Sequence, residues 1–161
     1  MLLSLQEEIG LGDLQSFKAA TVMGGGVARR GETCGALIGA LMALGLALGR
    51  ERIEDTPQYH RAMVPAVELS RRFQQELQAQ FGFAEPLATT LCRDIQTRIY
   101  GRAFDLADAA GLRAFLDAGG HSPEGCPKGF CARDAGWTFG APSPATCTGL
   151  RSPPQEAGDR R

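Results

Sequence analysis

The sequence predicts an all-α fold, a compact multi-helix bundle around a central Gly/Ala-rich helix at about 33–49, followed by an irregular C-terminal tail. Three observations lead there. Apolar residues recur every three or four positions in several segments, the helical period. No stretch alternates apolar and polar residues as a half-buried strand would. The run Thr33–Gly49 carries no charge and consists almost wholly of Gly, Ala, Leu, Ile and Met. With 161 residues, 43% hydrophobic and 22% charged, the chain is long enough for a core and ordinary for a globular protein, so wholesale disorder is excluded. A formal net charge of -1 argues against a general nucleic-acid or anionic-membrane binder.

The elements follow in order. Leu2, Leu3, Leu5 and Ile9 form a short helical pattern ending at Gly10. Asp13 is placed to cap a second helix with Leu14, Phe17, Ala20 and Val22 on its apolar side, and this helix stops at Gly24. The triplet Gly24, Gly25 and Gly26 permits a tight turn with unusual backbone angles, and Arg29 and Arg30 follow it. This is no nucleotide loop: it follows a helix rather than a strand, and GxxxxGK[ST] is absent. Arg30 and its neighbour read more simply as a solvated turn than as an anion site.

The central helix begins at Thr33 or Cys34. Its glycines at 35, 39 and 45 each cost about 1 kcal/mol against alanine, which close helix–helix contact would offset. The run is at the short edge of the roughly 17–25 residues that span a bilayer, and Gly35 with Gly39 makes a small-xxx-small pattern that also suits a membrane helix. Interfacial aromatic anchors are missing and the other helices are amphipathic, so a buried helix is expected and membrane association is not. Thr56-Pro57 reads as N-cap and first helical residue of a long amphipathic helix. Its apolar side would hold Tyr59, Met63, Ala66, Val67, Ser70, Phe73, Leu77 and Phe81, and its wet side Arg61, Glu68, Arg71, Arg72, Gln75 and Glu76, with a kink or restart at Pro65. A further helix around Cys92 carries Leu91, Ile95 and Ile99 and ends at Gly101, and a last one carries Ala109, Leu112, Phe115 and Leu116 before Gly119 and Gly120. The helical domain is expected over 1–128. Residues 129–161, rich in Gly, Pro, Arg and Ser, lack periodicity and read as an irregular tail, disordered or translated in a shifted frame.

The chemistry-bearing residues are the five cysteines, Cys34, Cys92, Cys126, Cys131 and Cys147. Met1 runs into LLSLQEEIG with neither a basic n-region nor a cleavage site, so a cytoplasmic location is expected, where thiols stay reduced unless they bind metal or do redox work. An odd count argues against a purely structural disulfide framework. At a helix start, Cys34 would gain from the positive end of the helix dipole, which favours thiolate, and Arg29 and Arg30 would add to this. The plainer alternative is a small buried apolar residue. Cys92 also sits near a helix start, where core packing competes with function. Cys126, between Gly125 and Pro127, resembles a knuckle cysteine. His121 and Cys131 with Cys126 offer a secondary His-Cys-Cys zinc arrangement, although the spacing matches no standard knuckle. His60 reads as a partly exposed helix residue. With two histidines and no Ser/His/Asp set, hydrolase chemistry is not expected and no catalytic residue is assigned.

CGALIG at Cys34–Gly39 fits a CGAxxG motif. Around it stand the GGG turn, the RxGExCGAxxGALMALGL core, CRDIQ at Cys92–Gln96, GRAFDL at Gly101–Leu106 and AGGHSPEGCPK ending at Lys128. Together these resemble the C_GCAxxG_C_C family over roughly Leu2–Lys128. The resemblance implies a small, mostly helical, redox-active protein with four characteristic cysteines, some relatives being encoded near transporter genes. A related module occurs in split-Soret cytochromes, where an iron–sulfur centre has been associated with it. By resemblance, Cys34 is the CGA cysteine, Cys92 the third and Cys126 the fourth, serving as cluster ligands or as partners in thiol–disulfide exchange. The family's first cysteine would fall a few residues upstream of Met1, so an upstream in-frame extension, or a thiol from a second subunit, is expected to supply it. A homodimer associating through the Gly/Ala-rich face and a redox partner protein are expected as well. The alternative is a metal-free helical interaction or accessory protein, for instance of a transporter, whose cysteines are structural. A third reading is a membrane-associated helical hairpin.

Overall fold

The computed structural model describes Leu2, residues 10–122 and residues 124–126. The expectations for residues 3–9, for Cys131 and for the tail at 129–161 lie outside these. Among the described residues the fold is all-α: α1 (Leu14–Ala20) running into a 3-10 turn (Thr21–Met23), α2 (Gly35–Leu48), α3 (Thr56–Phe81), α4 (Cys92–Tyr100) and α5 (Ala109–Asp117). The one β-type contact among them is an isolated antiparallel bridge between Thr33 and Leu91. No helix among the described residues is long and apolar enough to cross a membrane.

Local chemistry sets the helix ends. Asp13 caps α1, accepting from the Ser16 N–H at 2.8 Å. Asp55, not Thr56, caps α3: its carboxylate accepts from the Gln58 N–H at 3.0 Å, and Thr56 is the first helical residue. Pro57 still fits the first turn, because an amide there needs no intrahelical partner. Helix α3 runs unbroken through Pro65 for 26 residues. The carbonyl that loses its partner to the proline belongs to Arg61, which is exposed and can be hydrated. Gly82 and Gly101 close α3 and α4 in the left-handed conformation, at φ 66° and 76°.

The core lies between α2 and α3. Near the middle of α2, Ala40, Ala43 and Leu44 pack with Leu69 and Leu2. At its N-terminal end, Cys34 and Leu37 pack with Phe73, Leu77, Leu87 and Ile95. A third cluster, Phe104, Leu106 and Phe115, adjoins Tyr100 and Cys126. The buried stripe of α3 is Ala62, Leu69, Phe73 and Leu77, with Ala66 half-buried. It is rotated from the expected one in the first half of the helix, where Tyr59, Met63 and Val67 are 41%, 40% and 70% exposed. The small Ala62 and Ala66 continue the spacing of Leu69, Phe73 and Leu77, which larger neighbours one position on do not. Only α2's first three turns are central. A Cβ at Gly35 would come within 2.5 Å of the Met23 carbonyl oxygen, whereas one at Gly45 would meet nothing within 4 Å. Close contact therefore explains the first of these glycines but not the second, which borders an open apolar groove of about 430 Å³ with Met63 and Val67.

Candidate redox site

Two of the candidate cysteines owe their positions to the Thr33–Leu91 bridge. The Cys34 N–H donates to the Thr90 carbonyl at 2.9 Å and the Cys92 N–H to the Glu32 carbonyl at 2.7 Å. Side chains alternate along extended backbone, so with Thr33 opposite Leu91, Cys34 and Cys92 fall on the other face together, as diagonal neighbours. One residue later each chain turns helical. Cys34 is the N-cap of α2 and Cys92 the first residue of α4. Neither helix has a side-chain cap at this end; in α4 the Glu32 and Gly31 carbonyls take the first two amides, Arg93 donating to Gly31 at 3.1 Å. An Arg93–Glu32 ion pair at 3.5 Å lies across the same junction, half-exposed.

The glycine triplet holds the residues that carry those carbonyls: the Gly31 and Glu32 N–H groups donate to the Gly25 and Gly26 carbonyls at 3.1 and 3.0 Å. Gly24 is extended, and then five consecutive residues, Gly25, Gly26, Val27, Ala28 and Arg29, have φ between 50° and 76°. This is a left-handed turn. It costs roughly 1–2 kcal/mol at each of Val27, Ala28 and Arg29. Backbone hydrogen bonds hold it, among them Ala28 N–H to the Val22 carbonyl at 2.7 Å and Glu32 N–H to the Gly26 carbonyl at 3.0 Å. Gly26 lies against Cys92: a Cβ there would be 2.6 Å from the Cys92 Cβ. Arg29 and Arg30 are exposed.

Two polar side chains attend the sulfurs. Gln96, four residues after Cys92 and so on the same face of α4, is 1% exposed. Its Nε2 donates to the Cys92 Sγ at 3.4 Å, and its Oε1 accepts from the Phe104 N–H at 2.9 Å. Tyr100, another turn along, accepts the Cys126 N–H on its hydroxyl at 2.9 Å. Sequence reasoning passed over both. The available signal was a glutamine next to Ile95 on the apolar side of the CRDIQ helix, where a buried amide needs a partner.

All three thiols are free, Cys34 and Cys92 buried and Cys126 half-buried. Burial pushes the Cys34 thiol up to about 12, and the Cys92 and Cys126 thiols close by add to this; the Ala36 and Leu37 N–H groups at the helix start pull the other way and lose. The helix start does act in favour of a Cys34 thiolate, as its position suggests, but desolvation of the charged form outweighs it. Cys92 is raised to about 11, again by burial first and then by Cys126, with the Gln96 hydrogen bond opposing. Burial raises Cys126 too, and its hydrogen bond with Tyr100 opposes. At neutral pH the three are protonated, uncharged thiols, and a thiolate formed at Cys126 would further disfavour ionisation of Cys92 and Cys34.

His121 is exposed and packs edge-on to Phe115, ring centroids 5.5 Å apart. His60 is exposed, edge-on to Tyr59. Among the described residues no three Cys, His, Asp or Glu side chains are close enough to hold a metal ion, so Cys34, Cys92 and Cys126 with His121 do not by themselves make up a metal site; Cys131, the third member of the expected His-Cys-Cys arrangement, lies outside the described residues.

No curated protein and no solved structure matches the chain. A family model does, over residues 1–131, and it takes in Cys34, Cys92 and Cys126 together with the turn that packs on Cys92. The chain therefore belongs to the C_GCAxxG_C_C family, described as "Putative redox-active protein".

Proposed function

We propose that the protein cycles between thiol and disulfide states through Cys34, Cys92 and Cys126. The observation that carries this reading is that Cys34 and Cys92 lie on one face of the Thr33–Leu91 bridge while Tyr100, two turns after Cys92 on α4, accepts the Cys126 N–H, so thiols from three separate stretches of chain are held beside one helix. Membership of a family named for its cysteines and described as redox-active supports it. The exchange begins at Cys126, the most accessible of the three. As thiolate, Cys126 attacks one sulfur of an external disulfide RSSR, forming a mixed disulfide and expelling one thiolate RS⁻. Cys92, as thiolate, then attacks the Cys126 sulfur, closing an internal disulfide and expelling the second RS⁻. The two protons lost by the cysteines go to the two leaving thiolates, and two electrons pass to RSSR. Cys34 competes for Cys92 in the same way. In a regular antiparallel ladder diagonal neighbours stand roughly 7–8 Å apart, beyond the reach of an unstrained disulfide, so a Cys34–Cys92 bond would need the two helix starts to shift.

The test is incubation of the fully reduced protein with oxidised glutathione at about pH 8, followed by thiol counting and mass analysis without reductant. Loss of two thiols within one chain, reversed by dithiothreitol, is expected. Thiols that neither pair nor react would overturn the reading in favour of a helical interaction protein with structural cysteines.

A further inference from the structure

Gln96 is the buried polar side chain among the described residues, and it occupies a position where a leucine would pack without needing partners. Its amide is oriented from outside. The Phe104 N–H can only donate, so it must face Oε1, and this leaves Nε2, which can only donate, directed at the Cys92 sulfur. The orientation is therefore fixed by the Phe104 backbone rather than by the thiol. Such an amide gains more from a thiolate than from a thiol, because a hydrogen bond to a charged acceptor is the stronger one. Cys34, equally buried, is met by backbone donors instead, the Ala36 and Leu37 amides at the start of α2.

We propose that Gln96 is a positioning residue for the chemistry of Cys92: held by the Phe104 N–H, it keeps a donor on the sulfur and makes Cys92 the readier nucleophile of the two buried cysteines. The assignment deepens the thiol–disulfide reading and rests on it for its biological use, although the hydrogen bond can be tested without any disulfide forming.

The experiment is competitive alkylation of the reduced full-length protein with iodoacetamide, with Cys92 and Cys34 quantified by peptide mass analysis in the same sample. Gln96→Glu retains an oxygen for the Phe104 N–H and removes the amide donor; Gln96→Met removes both. Both variants are expected to lower the Cys92-to-Cys34 rate ratio by about tenfold, the effect of one hydrogen bond to a charged sulfur. A ratio unchanged in folded variants, whatever happens to their melting temperature, would mean that Gln96 only satisfies the Phe104 amide, and would overturn the assignment. Should neither variant fold, the wild-type protein decides: the Gln96 side-chain amide resonances are expected to shift in Cys92→Ser and to stay in place in Cys34→Ser, and unmoved resonances in Cys92→Ser would overturn it. A wild-type protein that forms no disulfide with oxidised glutathione but shows the expected ratio change would defeat the redox reading and leave the role of Gln96 standing.

Discussion

Cys34 illustrates how two local effects of opposite sign are decided by magnitude. Its place at the start of α2 was legible in the sequence, and so was the dipole that would stabilise a thiolate there. What could not be read was the depth of the site, since Leu77 and Ile95, which help enclose it, come from helices far along the chain. Desolvation wins, and the thiol is pushed up to about 12. The alkylation rate of Cys34 should therefore be very low near neutral pH and climb about tenfold per pH unit through pH 9 and beyond, because the thiolate is the nucleophile; a plateau near pH 9 would indicate an ordinary thiol. Gly26 makes a second case. Its φ of 76° and a virtual Cβ 2.6 Å from that of Cys92 leave no room for a side chain. Gly26→Ala is expected to cost at least about 2 kcal/mol, measured as a fall in the urea midpoint, by combining left-handed strain with a clash.

Among the elements, helix ends were mostly readable because they depend on a few adjacent residues. Asp13, Gly101 and the glycines after α5 stand where capping rules put them. The start of α3 was misplaced by one residue, since Thr56 and Asp55 are both good caps and only the fold decides which carboxylate or hydroxyl meets an amide. Asp55→Ala should lower stability by about 1 kcal/mol, while Thr56→Ala should cost only a few tenths; thermal unfolding of the two variants checks this. The rotated face of α3 has a different cause. Tyr59, Met63 and Val67 have helical spacing and apolar character, so periodicity favours them, but the Gly/Ala-rich α2 is met by a side built from small residues in that half. The left-handed turn at Gly25–Arg29 was out of reach for another reason. The glycine triplet announces a special backbone, yet no residue preference foretells that Val27, Ala28 and Arg29 continue it; their N–H groups bond back to Met23, Val22 and Gly24, and the turn sets Gly31 and Glu32 against the α4 start, sixty-odd residues on in the chain.

For the whole molecule, the all-α class and the candidate cysteines were legible, whereas their mutual placement arose from a two-residue bridge that no strand pattern advertises. The convergence has a consequence for stability. Folded thiols raised to about 12 and about 11, against an unperturbed value of 9.0, bind their protons more tightly than the unfolded chain does. That stabilisation is fully present below pH 9 and is lost as the pH rises from 9 through 11 to 12. The urea midpoint should fall over this range, and the fall should be shallower in Cys34→Ala; equal slopes in the two proteins would contradict the burial assigned to Cys34.

The central claim is that three thiols share one site with Cys92 as their common sulfur. Non-reducing peptide mapping of Cys34→Ser, Cys92→Ser and Cys126→Ser, each oxidised with glutathione disulfide, tests it most directly. An internal disulfide involving Cys92 is predicted in Cys34→Ser at the wild-type rate and, more slowly because the two helix starts must shift, in Cys126→Ser, with none in Cys92→Ser. An internal disulfide forming in Cys92→Ser at the wild-type rate, or in none of the wild-type and variant proteins, would contradict the account.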